Sequence, residues 1–113
     1  MTPPQPQLDK KQFKAFLLIY AAHVDYHYDE REEAFIKLNV SETHYQATLT
    51  LHEALSDYDC LKVIATHKHL LESTPEEKKK METLITQLFL VDGKYTRGEK
   101  VFLEFIDKLS KTM

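Results

Sequence analysis

The sequence predicts an all-α fold, a small pseudo-symmetric bundle of five to seven helices. Three observations lead there. Apolar residues recur at three- and four-residue spacing in every segment between candidate turns, no segment alternates in the manner of a strand, and only 2 of 113 residues are glycine. An all-β domain would need many more tight turns than so few glycines supply.

A chain of 113 residues suits one domain. Its 42% hydrophobic and 29% charged composition is that of a globular protein. Residues 1–8, rich in proline at their start, are expected to be a disordered lead without the apolar run of a signal peptide. Residues 9–113 form the domain. A net charge of −3 gives no basic stripe for a nucleic acid, so none is expected as a partner. Cys60 stands alone, so no internal disulfide forms, and the expected compartment is the cytoplasm. The longest apolar run, Phe16 to Ala22, falls far short of the ~20 residues that cross a bilayer, so no direct membrane insertion is expected.

The first helix is expected from Asp9 to Val24, with Asp9 and Gln12 as its cap and Phe13, Phe16, Leu17, Tyr20, Ala21 and Val24 on its inner face. A second opens at Asp29, where Asp29 to Glu32 reads as a capping box, carries Phe35, Ile36 and Leu38 inward, and stops at Asn39. Ser41 opens a third with Tyr45, Leu49, Leu51 and Leu55. Ser56 and Asp59 restart the chain into a fourth, unless the two are one bent helix. The fourth is expected to carry His67 in the middle of an apolar stripe running from Cys60 to Leu71. Thr74-Pro75-Glu76-Glu77 is the clearest start signal, beginning a helix to Val91 that Asp92-Gly93 ends. Thr96 with Glu99 caps the last, whose Val101, Phe102, Phe105, Ile106 and Leu109 face inward.

Residues 24–35 lie over residues 91–102 without a gap. Val, Asp, Tyr, Glu and Phe coincide, five identities in twelve positions where average usage gives roughly one. Each copy joins a helix end to a capped helix start, so the chain reads as two helical hairpins with an acidic corner each.

A helix end, an Asp, and a Glu seven positions later, twice in a small helical chain, resembles the tellurite-resistance TerB family. The resemblance covers about residues 16–38 and 84–106. It implies a pseudo-symmetric helical bundle whose paired acidic corners bind a divalent cation, calcium foremost, and a role in a stress-response or membrane-associated complex. Asp25 and Glu32 fall on the acids of the first corner, Asp92 and Glu99 on those of the second. The second corner keeps Asp-Gly, whereas the first has Tyr26 at the glycine position.

Both glutamates have a simpler reading as capping-box residues, favoured in the first turn of a helix. The aspartates fit that reading less well. Asp25 and Asp92 sit at the carboxyl ends of helices, where the macrodipole disfavours an anion by ~0.3–1 kcal/mol. Calcium takes six to eight oxygens, and the carbonyls left open at a helix end are suitable donors. The order is not that of an EF-hand, because the twelfth residue from each aspartate is Ile36 or Leu103 instead of a bidentate glutamate.

The remaining motifs have structural readings. No histidine spacing matches a zinc or iron site: His23 and His27 flank a helix end, and His67 and His69 are expected on opposite sides of a helix, with His67 a hydrogen-bonded core residue. Lys78-Lys79-Lys80 reads as a solvated helix face and Cys60 as a small core hydrophobe. No nucleophile elbow, phosphate loop or zinc-protease motif occurs, and no enzymatic activity is expected. Two functions follow. One is a TerB-like domain binding calcium through Asp25, Glu32, Asp92 and Glu99; the other is a metal-free module whose acids are caps and whose exposed Tyr26, Tyr28 or Tyr58 meets another protein.

Overall fold

A computed structural model describes residues 7–23, 30–70, 75–91 and 97–111. Among them are six α-helices and one short 3₁₀ turn and no strand: α1 (Lys10–Ala22), α2 (Glu30–Asn39), α3 (Glu42–Ala54), α4 (Asp57–Thr66), the turn Lys68–Leu70, α5 (Pro75–Leu90) and α6 (Arg97–Lys111). The expected caps at Asp29, Thr74 and Thr96, and the expected apolar residue Val24, lie outside the described residues.

Local chemistry sets the boundaries. The Asp9 carboxylate accepts from the Gln12 amide at 2.8 Å while the Gln12 side chain accepts from the Asp9 amide at 3.0 Å, the reciprocal box the sequence predicts. Ser41 and Ser56 cap α3 and α4 through the amides of His44 and Asp59, each at 3.1 Å. Leu55 and Ser56 have extended backbone, so α3 and α4 are two helices and not one bent one. At the end of α2 the Asn39 side-chain amide donates to the Phe35 carbonyl at 2.8 Å, satisfying an open helix-end carbonyl.

The direction of each helix follows from side-chain contacts. Lys10 pairs with Glu77, and one turn further along Phe13 and Lys14 line a cavity with Lys80, Met81 and Leu84, so α1 and α5 run parallel. Asn39 and Lys14 line one cavity with Glu76, which brings the end of α2 back to the start of α1. His52 lies against Phe16, Tyr20 and His23, so α3 ascends beside α1, and α4 returns from Asp57 at Tyr20 to His67 at Leu8. Phe89 meets Phe102 and Lys78 pairs with Asp107 at 3.3 Å, which makes α6 antiparallel to α5. The bundle is therefore up-and-down. The middle of the chain adds α3 and α4, each packed against α1.

The core is centred on α1, which packs against α2, α3, α4 and α5. Every residue from Ala15 to Ala22 is buried, a helix enclosed on all sides rather than on one stripe. Each fully buried aliphatic side chain such as Leu17, Leu18 or Ile19 contributes about 1.5–3 kcal/mol. Ile36, Tyr45, Val63, Ile64, Ile85, Leu88, Phe89, Phe102 and Ile106 complete the core around it.

Two expected inward residues face solvent instead. Leu38 is 85% and Val101 55% exposed, because Ile36 and Phe102 take the buried positions and a residue two steps from Ile36, or one from Phe102, is turned well away at 100° per residue. The fourth helix also ends early, at Thr66. His67 is its C-cap, and the turn that follows brings the His67 and His69 rings to 6.2 Å, stacked, where a continued helix would have separated them. No helix among the described residues is long and apolar enough to cross a membrane.

Candidate functional site

Call the end where α1 starts proximal and the opposite end distal. Since α2 is antiparallel to α1, α6 to α5, and α1 parallel to α5, the first turns of α2 and α6 both stand at the distal end. Glu32 and Glu99 occupy the third position of those two helices, equivalent places in the repeat. Both are 2% exposed. A glutamate in a capping box needs no such burial. An ionised carboxylate removed from water is costly unless charge or several donors meet it, and neither of these side chains is without a partner. By contrast Glu30, two positions earlier in the same first turn, is exposed. Asp25 and Asp92 lie outside the described residues. Among the described residues no group of three or more histidine, cysteine or acidic side chains is placed to hold a metal ion.

A second set of polar groups occupies the distal end beside α1. The Nδ1 of His23 is 2.7 Å from the Ile19 carbonyl; since a carbonyl only accepts, Nδ1 carries the proton and donates. The His52 ring sits 4.6 Å from that of His23, centroid to centroid, and edge-on to Tyr20 and Phe16 at 6.1 and 6.3 Å. Burial, and next the neighbouring His23, hold His52 below the usual imidazole pKa, with Glu53 and Asp57 acting in the other direction. The Tyr20 hydroxyl donates to Asp57 at 2.9 Å, fixing the start of α4 to the end of α1. Sequence reasoning missed His52 altogether. It lies 29 positions from His23, and only the pairing of α1 with α3 brings the rings together.

Two other singled-out residues are as the sequence predicts. His67 is 2% exposed, with Nδ1 donating to the Val63 carbonyl at 2.7 Å and Nε2 accepting from the Leu8 amide at 3.0 Å, a core histidine with both nitrogens engaged. Cys60 is buried, the small core residue the sequence predicts, and burial, aided by Asp57 and Asp59, pushes its thiol up to about 11. Comparison of the chain with protein families, with curated proteins and with solved structures found no match in any of the three.

Proposed function

We propose that the chain is a non-enzymatic, TerB-like domain that binds a divalent cation, calcium, at the distal end of the bundle through Asp25, Glu32, Asp92 and Glu99, within a cytoplasmic stress-response or membrane-associated protein complex. The observation that carries this reading is the burial of Glu32 and Glu99 to the same 2% at equivalent positions of the repeat. Carboxylate oxygens at one end of a bundle are the donor type a hard cation takes, and equivalent placement in the two copies of the repeat is what a shared site requires. The test is thermal unfolding of the full chain against calcium. At a calcium concentration of about 100 times the dissociation constant, binding stabilises by about 2.7 kcal/mol. With an unfolding entropy of about 2.1 cal/mol/K per residue, the midpoint of a 113-residue chain rises about 11 °C. Asp92→Asn is expected to abolish that rise; an unchanged midpoint at millimolar calcium refutes the proposal.

A metal-free interaction module is the second reading, favoured by a specific observation: Leu38 and Tyr58 are 85% and 68% exposed. Large apolar and aromatic side chains left in water at these levels are candidates for contact with another protein. Tyr26 and Tyr28 lie outside the described residues. Loss of partner capture in Leu38→Asp and Tyr58→Asp, with no response to calcium, would distinguish this reading from the first.

A further inference from the structure

The proximal end holds a cavity of about 360 Å³ between the start of α1, the 3₁₀ turn and the first half of α5. Its apolar lining comes from Phe13, Leu70, Met81 and Leu84, all drawn from the core or its partly buried fringe. Phe13 is only 2% exposed and forms the floor, while Leu70, Met81 and Leu84 are partly exposed around it.

Around the same cavity stand Lys10, Lys11, Lys14 and Lys80 with one carboxylate, Glu77. Glu77 pairs with Lys10. Lys11, Lys14 and Lys80 have no ion pair among the described residues, in a chain whose net charge is −3. Lys78, the remaining helix-face cation of the lysine run nearest Asp107, is by contrast held by Asp107 and Glu82 at 3.3 and 3.8 Å. The run is thus divided: one lysine serves the α5–α6 contact and another faces the cavity. An adjoining cavity continues the feature past Lys14 and Lys80 to Lys79.

From an apolar recess rimmed by three lysines that have no ion pair among the described residues, we infer a binding site for a medium-chain monocarboxylate, a fatty-acid anion whose chain enters the recess and whose carboxylate meets Lys11, Lys14 and Lys80. Its volume of about 360 Å³ lies in the range of about 300–1,000 Å³ usual for small-molecule sites with an apolar lining and a few polar groups, and a ten-carbon chain is the probe chosen for it. A nucleic acid or inorganic phosphate would use the lysines and leave the recess empty; an alcohol would do the reverse. The site shares no residue with the four acids of the proposed cation site, so the two proposals stand or fall separately.

The experiment is calorimetric titration of the full chain with decanoate, accompanied by decan-1-ol, acetate and vesicles of anionic phospholipid. Saturable binding of one decanoate is expected, at least about tenfold tighter than the alcohol, with acetate inert. The triple variant Lys11→Gln, Lys14→Gln, Lys80→Gln should weaken decanoate at least about tenfold and leave the alcohol unchanged. Lys11 and Lys80 are exposed and Lys14 half-buried, and an unchanged helical circular dichroism spectrum confirms that the variant folds. Leu84→Trp, which fills the recess without removing charge, should block both ligands. The inference is overturned by an absence of saturable decanoate binding up to about 1 mM, by acetate competing as well as decanoate, by a triple variant that binds normally, or by binding to vesicles alone.

Discussion

Replacing His67 by phenylalanine isolates what its two ring nitrogens contribute. The new ring keeps the volume and the stacked contact with Phe13, now 5.7 Å between centroids and 18° between planes. It removes the bond to Val63 and the acceptor for the Leu8 amide. The first loss is small, because the Val63 carbonyl also accepts from the Thr66 hydroxyl at 3.0 Å and the His67 amide at 3.2 Å. The second is larger, since Nε2 is the acceptor that Leu8 uses, at 3.0 Å in a partly buried setting. A net hydrogen bond is worth about 0.5–1.5 kcal/mol and an amide left without one about 1–3, so a loss of about 1–2 kcal/mol is expected. For a 113-residue chain that is a fall of about 4–8 °C in melting temperature. Urea and thermal unfolding measure the total. Because phenylalanine gains apolar burial that offsets part of it, hydrogen exchange at the Leu8 amide is the sharper readout, and it should quicken about tenfold relative to the amides of the α1 interior. A variant with native stability to within about 0.5 kcal/mol and an unchanged Leu8 amide would refute the reasoning.

Two further outcomes follow from the polar groups of the core. His52 has a folded-state pKa below its unfolded value, so the unfolded chain binds more protons in between; the stability it confers is complete above about pH 6.5 and declines as pH falls from there towards the folded value. His52→Gln should flatten this acid slope in urea midpoints taken at about pH 7.5 and 5.5, and an identical slope would remove the argument. Cys60, with its thiol at about 11 and its side chain buried, should react with a thiol reagent at about pH 8 only as fast as the chain opens, so prompt labelling of the native protein would contradict its placement.

What could be read in advance was local. Asp9 with Gln12, Ser41 with His44 and Ser56 with Asp59 are bonds between residues three apart, and the side-chain types alone announce them. The paired hairpins were legible too, through the repeat around Val24 and Val91. Faces were harder. Leu38 and Val101 have the right residue type for a core, but α2 and α6 bury only a narrow strip, and type does not say which strip. The stop at Thr66 was hidden because it depends on His67 turning inward to meet Leu8, 59 positions away. The burial of Glu32 and Glu99 was equally hidden. A glutamate in a first turn has the same sequence signature whether it reaches into water or into the bundle, and only packing separates the two.

The alternation of helix directions has an electrical consequence. Among the described residues each end of the bundle presents three amino-terminal and three carboxyl-terminal helix ends, so the partial charges of roughly +0.5 and −0.5 that backbone dipoles place there cancel in pairs over the width of the bundle. No lasting backbone field distinguishes the top from the bottom. Whatever polarity the molecule shows a passing ion must come from side chains, the lysines around the proximal cavity among them, and a handful of charge exchanges there would be enough to reverse it.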